Sequence, residues 1–482
     1  MAEKPVLVWL RLDLRLEDNP AIIAAVKKTA PIIPVFIYSP EEEKPWAPGS
    51  AGLFWLHQSL KSFDGGLKKL GSRLILKKGK SFEVLKSLVK ETGAGCVLWN
   101  RRYEPSLMKR DAEIKNFFKK EGLECESFNS ALLFEPWQIL TKQKTPYQVY
   151  TAFWNTCLTL PEPAQPVPAP AKMILPEEWP KSEKLEAFGF EPKIKWAEGI
   201  RGFWNPGEAG AHAQLKEFIK KWAGQYDRGR DIPSEAGTSR LSPHLHFGEI
   251  SPRRVWHEIK RFAGQNARKP PERKAAEIYL KEIVWREFAH HLLYHFPHTP
   301  FEPLKKQFEK FPWRKDAKRL KAWQKGMTGY PVVDAGMREL WHTGWMHNRV
   351  RMITASFLIK DLLIPWQEGA KWFWDTLVDA DLASNTLGWQ WTAGCGADAS
   401  PFFRIFNPMT QGEKFDPHGQ YVRKWIPEIA KLPDEWIHKP FEAPAEVLKQ
   451  AGIILSKTYP EPLVNHADAR KEALNLLQKI RG

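Results

Sequence analysis

A proline-dense segment constrains this chain more than any other feature. Residues 160–180 read LPEPAQPVPAPAKMILPEEWP. Proline lacks the N–H that a helix or a central strand needs and fixes its own φ, so such a stretch runs extended. Patterned sequence resumes on both sides of it. The segment therefore reads as a linker laid over the surface between two differently built regions, not as a tail.

Before the linker, apolar runs of strand length alternate with amphipathic stretches. Residues 5–10 (PVLVWL), 31–38 (PIIPVFIY), 72–77 (SRLILK), 95–99 (GCVLW) and 123–128 (LECESF) read as strands. Residues 51–70, 81–92 and 106–121 read as helices between them. Such alternation predicts a parallel α/β sheet with right-handed crossovers. The first strand is followed by RLDLRLEDNP, which lacks the glycine fingerprint G-x-G-x-x-G, so no nicotinamide dinucleotide is placed there. From about residue 209 the signals are helical, as in AHAQLKEFIKKWAGQY, KAAEIYLKEIVWREFAHHLLYH and EGAKWFWDTLVDADLAS. No convincing strand follows, and helices of ordinary length would number about a dozen. The expected fold class is α/β plus all-α: an α/β domain over 1–132, a linker over 133–205 and a helical domain over 206–482.

Composition narrows the partners. The chain has 482 residues and a formal net charge of +16. A basic balance of this size points to a polyanion, because Lys and Arg displace counterions from phosphate. Its 23 tryptophans exceed what a core requires and hint at stacking surfaces or redox chemistry. No apolar run reaches the roughly 18 residues a membrane span needs. The opening MAEKPVLVWLRLDLR has its apolar run broken by arginine, unlike a signal peptide, so a cytoplasmic protein is expected. Cys96, Cys125, Cys157 and Cys395 show no C-x-x-C spacing, which predicts buried free thiols and neither disulfide nor metal.

Four constellations carry chemistry. In GTSRLSP, Gly237 to Pro243, the hydroxyls of Thr238, Ser239 and Ser242, backbone N–H groups and Arg240 suit a phosphate. Alone, an N-cap turn explains that motif better. The second lies in TGWMHNRVRMITASFLIKDLLIPW, read as one helix, where Asn348, Arg351 and Met352 share a face. An amide, a guanidinium and a thioether together suit a lined cavity, and a partly buried salt-bridged helix accounts for them equally well. The third is DTLVDADLASNTLGWQW, where Asp379 and Asp381 precede a helical turn carrying Asn385, Trp389 and Trp391. A carboxylate there suits a flavin N–H, and it suits an acidic N-cap as well. In a helix the two tryptophans point roughly 200° apart, at about 100° per residue. The fourth is Trp313, Trp366 and Trp389, which spacing alone cannot connect and which core packing accounts for individually.

Taken together, the motifs resemble the DNA photolyase/cryptochrome family over essentially the whole chain. They are WLRLDLRLEDNP, WNRRYEP at 99–105, GTSRLSPHLHFGEISP at 237–252, YLKEIVWREF at 279–288, WQKGMTGYPVVDAGMREL at 323–340, TGWMHNR at 343–349 and the block from Asp379 to Pro417. The resemblance implies a Rossmann-like antenna domain, a linker, and a helical domain holding FAD. It assigns Tyr226, Thr238, Ser239, Arg240, Leu241 and Ser242 to the FAD phosphates and ribityl chain, with Tyr279 and Arg286 beside them. It sets Arg351, paired with Asp379, at the flavin ring, with Asp381 as acceptor and Asn385 near N5. Glu282, Trp285, Asn348, Met352 and Trp391 would line the lesion pocket, Glu282 and Asn348 also touching the cofactor. Arg230, Arg349, Arg404 and Gln411 would contact DNA phosphates. Trp389, Trp366 and Trp313 fall where the family keeps its electron-hopping chain.

The implied activity is light-driven repair of UV-damaged DNA by electron transfer from excited reduced FAD to a flipped-out dimer. Relatives that repair (6-4) photoproducts carry histidines at the places of Asn348 and Met352, so a cyclobutane pyrimidine dimer is the expected lesion. Asn385 is the photolyase choice, where plant cryptochromes have aspartate. No long signalling tail is expected after residue 482, so a cryptochrome-like photoreceptor is the second reading and a (6-4) enzyme the third. WIHKPFEAPAEVLKQAGIILSKTYPEPLVNHADAR also resembles the plant-cryptochrome-like class III enzymes, leaving class I and class III both open. Family frequency favours methenyltetrahydrofolate as antenna, with 8-hydroxy-5-deazaflavin, FMN or none as alternatives. Glu104 lies where folate-binding members keep a carboxylate, though a surface loop glutamate is as ordinary an account. A monomer is expected.

Overall fold

In a computed structural model of the chain, which describes residues 3–266, 269–399 and 403–481, all five expected strands form. They are β1 (Val6–Leu10), β2 (Ile32–Tyr38), β3 (Ile75–Lys78), β4 (Cys96–Asn100) and β5 (Glu124–Phe128). All pairings are parallel, in the order β3-β2-β1-β4-β5, with Leu7 beside both Ile33 and Val97. The crossovers are helical: α1 (Pro20–Lys27), α2 (Ser50–Lys69), α3 (Ser81–Thr92) and α4 (Pro105–Lys120).

Leu7, Trp9, Ile33, Val35, Val97 and Trp99 form one buried face with Leu85 and Leu88 of α3 and Ile114 and Phe118 of α4. The alternate residues Val6, Val8 and Leu10 are buried as well. With neither face open, the inner strands read as continuous apolar runs. The edge strand β5 instead exposes Glu124 and Glu126, charges that discourage further strand pairing. β3 starts three residues later than the sequence suggests. Residues 70–74 are spent on ending α2: Gly71 has φ 75°, Ser72 N–H donates to the Leu67 carbonyl at 3.0 Å, and Leu74 N–H donates to Asp64 at 2.9 Å.

The proline segment is free of helix and strand, as its composition requires, and it is tied down along its length. Asp18 N–H donates to the Val167 carbonyl at 2.7 Å and Val167 N–H returns a bond to the Asp18 carboxylate at 3.1 Å. Ile32 N–H donates to Ile174 O at 2.9 Å, and Glu183 N–H to Leu76 O at 2.9 Å. It is a strap on the sheet, not a free spacer.

Contacts divide the chain into two compact units. The first comprises residues up to Gly224, Ser239–Pro297 and Val378–Leu382; the second comprises Gln225–Thr238, His298–Leu377 and the residues from Ala383 onward. This division differs from the sequence boundaries at 132 and 205 because the helices Pro252–Arg261 and Pro270–His295 join the sheet's unit. Arg15 reaches the Gly248 carbonyl at 3.0 Å, Trp55 Nε1 donates to Glu249 at 3.0 Å, and Glu287 accepts from Leu133 and Phe134 N–H at 2.8 and 3.2 Å. Gly248 is required there: its φ is 65°, and a Cβ would stand 2.3 Å from the Leu12 carbonyl oxygen.

The second unit is helical, and one isolated bridge, Leu455 to Tyr459, is the extent of β pairing among its described residues. The stretch expected as one helix from Thr343 is broken. Pro331–Thr343 ends at Gly344 with φ 67°, and Asn348–Ser356 begins after His347, whose side chain accepts from Arg349 N–H. A π turn, Phe357–Asp361, then follows, which periodicity did not reveal. All four cysteines are buried and free, as expected. Among the described residues no helix is long and apolar enough to cross a membrane.

Candidate functional site

In the first unit, one stripe of the Pro270–His295 helix is polar although the helix is largely buried. Tyr279, Glu282, Arg286 and His290 follow one another at spacings of three and four, so they share a face. Tyr279 is 3% exposed and hydrogen-bonded to the Ser239 side chain, and the Ser239 carbonyl accepts from Gln214 at 2.9 Å. Thus the hydroxyl loop meets this helix at Tyr279. Arg240 holds a left-handed φ of 52°, with its guanidinium 4.8 Å from the Phe203 ring centroid; Leu241 is buried, and Ser242 is exposed and opens the short helix Ser242–His246.

At the other end of the stripe, Asp381 lies 3.5 Å from His290 Nε2 and 3.8 Å from His246 Nδ1. Burial alone would push its carboxyl up. His290, the hydrogen bond with His246, and Arg286 overcome that and hold it well below the ordinary carboxylate range. Asp381 is therefore an anion ready to accept a hydrogen bond. Arg286 donates to the Ala131 carbonyl at 2.6 Å. The next residue, Glu287, goes the opposite way: burial raises its carboxyl to about 8 against Arg286 and two backbone donors.

Trp285, half-buried on the same helix, stacks on Tyr150 with ring centroids 3.7 Å apart and planes 7° from parallel. Tyr150 Oη donates to the Lys281 carbonyl at 2.7 Å, which fixes the tyrosine ring against the helix. One face of Trp285 is thereby covered.

The crevice at the carboxyl ends of β1 and β4, where strand order reverses, collects the other motifs of this unit. Its polar groups bind each other. Arg11 pairs with Asp111 at 2.8 Å, and Asn100 Nδ2 donates to Asp13 at 2.6 Å and Asn19 at 2.8 Å. Glu104 is largely buried, not a surface loop residue, and accepts from Arg102 Nε at 3.0 Å and Tyr103 N–H at 3.1 Å. Glu17, Glu208 and His212 form a cluster of metal-ligand type, but Glu208 already accepts from Leu16 and Glu17 N–H and Glu17 is bound by Arg254 and His212.

In the second unit, Val350 and Ile353 turn the Asn348–Ser356 helix into the core, while Asn348 is exposed and Arg351 and Met352 are half-buried. The three predicted residues do share its open face. Arg351 Nε donates to the Met346 carbonyl at 2.7 Å. Arg349 bonds Asp231 at 2.5 Å, and its guanidinium lies 4.4 Å from the Phe415 centroid. Arg230 stands 5.6 Å from the ring of buried Tyr226, and Arg404 is exposed. Gln411 is half-buried on Pro408–Phe415, whose first turn Asn407 caps. Thr238 is half-buried after Gly237, which passes so close to Gly229 that a Cβ would meet its carbonyl oxygen at 2.3 Å.

On the Leu382–Ala393 helix, Asn385 Nδ2 donates to the Ala370 carbonyl at 3.1 Å, leaving the amide oxygen as its acceptor. Trp389 is buried and Trp391 half-buried, the difference their angular separation predicts. Trp389 packs against Gly369, where a Cβ would be 2.0 Å from the ring, three residues along from buried Trp366. Trp313 is half-buried beside Phe311.

The chain matches two family models: DNA photolyase over residues 6–171, and the FAD binding domain of DNA photolyase over 279–479. It is 52% identical over 472 residues to a deoxyribodipyrimidine photo-lyase of Agrobacterium fabrum, covering 98% of this chain and 97% of that protein. The chain belongs to the photolyase/cryptochrome family. Within that family it is also 41% identical to Cryptochrome-1 of Arabidopsis thaliana, over 98% of this chain and 70% of the cryptochrome. A crystal structure of a bacterial class III photolyase from Agrobacterium tumefaciens superposes with a TM-score of 0.96 at 50% identity, covering 100% of this chain and 98% of that one.

Sequence reasoning missed His246, His290 and Tyr150. Tyr279, Glu282 and Arg286 came from the resemblance alone; their spacing of three and four continues to His290, so periodicity along this helix could have reached that histidine. His246 and Tyr150 gave no local signal, because their partners lie far along the chain.

Proposed function

We propose that this protein is a deoxyribodipyrimidine photo-lyase that repairs cyclobutane pyrimidine dimers in DNA under light, with FAD as its cofactor, and that it belongs to class III. The observation that carries the reading is the match to a photo-lyase at 52% identity along both full lengths. The donor set suits FAD. The Thr238–Ser242 loop offers hydroxyls and Arg240 to a diphosphate, Tyr279 bonds it through Ser239, Tyr226 would add a hydroxyl, and Asp381 is kept anionic for a ring N–H. Arg351 and Asp379 would pair at the ring, and Asn385 would offer its free amide oxygen to N5. Reduced FAD, when bound, supplies the light-excited electron that opens the cyclobutane ring.

The chain's residues then have separate tasks. Glu282 and Asn348 hydrogen-bond the dimer, Met352 fills space beside it, and Trp285 and Trp391 offer ring faces to the flipped-out bases. Because Tyr150 occupies one face of Trp285, the dimer takes the other. Arg230, Arg349, Arg404 and Gln411 hold phosphates, and Arg349 does so from an existing ion pair with Asp231. Trp389, Trp366 and Trp313 would pass electrons between bound flavin and surface, a role supported by the rise in exposure at Trp313. Methenyltetrahydrofolate is the proposed antenna. Since Glu104 is bound by Arg102, a folate there meets a charge-balanced pair, and chromophore extraction followed by absorbance identifies it. The cytoplasm, where DNA is accessible, is the proposed location.

The test is repair of an oligonucleotide carrying one thymine dimer by the reduced protein. Intact thymines recovered only under blue or near-UV light confirm both activity and lesion. A flavin-loaded protein that repairs nothing is a cryptochrome-like receptor, and one that repairs only the (6-4) lesion overturns the reading of Asn348 and Met352. In Trp389→Phe, photoreduction slows while pre-reduced enzyme still repairs; unchanged photoreduction removes Trp389 from the electron path.

A further inference from the structure

Lys360 has no part in the scheme above, yet it is 2% exposed. Burying an ammonium costs several kcal/mol unless it is partnered. Lys360 sits in the π turn Phe357–Asp361, a local widening that often marks a functional position. Its Nζ donates to the Arg404 carbonyl and stands 4.3 Å from the Phe403 ring centroid. Phe403 in turn lies against Gly394, where a Cβ would be 2.9 Å from the ring.

Other bonds fix the same stretch of backbone. Phe406 N–H donates to Ser356 Oγ at 3.2 Å, and Lys305 Nζ donates to the Ala399 carbonyl at 3.3 Å. Arg404 is exposed, while its carbonyl is gripped from the interior. Asp361, next to Lys360 in the chain, bonds His466 Nδ1 through Oδ1 at 2.5 Å and makes no hydrogen bond through Oδ2, so the amine's hydrogen bond goes to the Arg404 carbonyl.

We propose that Lys360 is a positioning residue for DNA binding, its buried amine holding the Phe403–Phe406 backbone in the shape that presents Arg404 to a lesion-flanking phosphate. The inference rests on the reading of Arg404 as a phosphate contact. A stem fixed before DNA arrives reduces the ordering cost of binding. Burial lowers the Lys360 amine to about 7; Asp361 and Cys395 oppose that and Arg404 adds to it, with His466 and Lys305 the other ionisable groups around. The grip therefore weakens as pH rises through neutrality.

The test compares Lys360→Met, Arg404→Ala and the double variant for affinity to the dimer oligonucleotide, FAD content and repair rate at saturating DNA. K360M is expected to weaken affinity roughly tenfold, with FAD content and saturated rate unchanged. The double variant is expected to bind no worse than R404A. The fall in wild-type affinity between pH 6 and 9 should be steeper than in K360M. A folded K360M with wild-type affinity overturns the proposal, and if R404A still weakens binding, the reading of Arg404 survives it. Weakening by K360M with none by R404A also overturns it, since Arg404 is then not the contact that Lys360 positions. Should K360M fail to fold, amide exchange of Phe403–Phe406 in the wild type decides: protection lost between pH 6 and 9 supports the anchor, and constant protection overturns it.

Discussion

The parallel sheet and the Pro270–His295 helix are both buried, and by opposite means. The sheet's inner strands remove apolar side chains from water, and Leu7, Ile33 and Val97 are wholly covered. Their stabilisation is non-directional and grows with area. The helix buries ionisable groups instead, and each is settled individually. Asp381, against this helix, stays charged because two histidines and Arg286 surround it, while Glu287 is pushed toward its neutral form. Titratable groups whose surroundings drive them apart mark a working site, whereas uniform apolar burial marks a scaffold.

The largest effect should come from the scaffold. Ile33→Ala removes a fully buried side chain from the middle of the sheet and should cost about 2–5 kcal/mol in urea unfolding. The folded fraction should keep its flavin spectrum. Loss of flavin from folded protein would mean that the sheet shapes the site directly and would break the contrast. Asp381→Asn should do the reverse. Losing a charge-assisted acceptor worth about 1.5–3 kcal/mol should weaken FAD retention by roughly ten- to a hundredfold. Because the depressed carboxyl also favours the folded state above the ordinary carboxylate range, the apoprotein should lose some stability at neutral pH. Full retention of FAD would leave the anionic carboxylate without a purpose.

Trp285→Ala should weaken dimer binding by about 1–3 kcal/mol, the range for loss of a stacking face. Tyr150→Leu should weaken it less, since Tyr150 acts by holding Trp285; a Tyr150 effect equal to the tryptophan's would make both rings direct contacts. The smallest effect concerns pH. The folded-state value of Glu287, about 8, stands above its ordinary 4.5, so between these values the folded state binds the extra proton. Its contribution is therefore greatest at low pH and is lost as pH rises toward 8. Glu287→Gln should flatten the decline in melting temperature between pH 5 and 8. An unchanged slope would show that Glu287 titrates normally.

Much of this was legible in the chain. Strand–helix alternation gave the sheet, proline density gave an extended segment without helix or strand, and spacing put Asn348, Arg351 and Met352 on one face and separated Trp389 from Trp391. Each is a local pattern, carried by residues within a few positions of one another. Where the reading slipped, local chemistry competed with the pattern: a helix stop consumed the start of β3, and Gly344 broke a helix whose apolar spacing continued through it.

Sequence by itself therefore determined the fold class, the family and most of the residues worth testing. Tertiary structure alone decided which of them are charged and what holds them. The pairing of Asp381 with His246 and His290, the covering of Trp285 by Tyr150, and the burial of Lys360 behind Arg404 join residues far apart in the chain. Periodicity runs along neighbours and carries no information about such pairs, whereas desolvation and Coulomb energy depend on what surrounds a group in space.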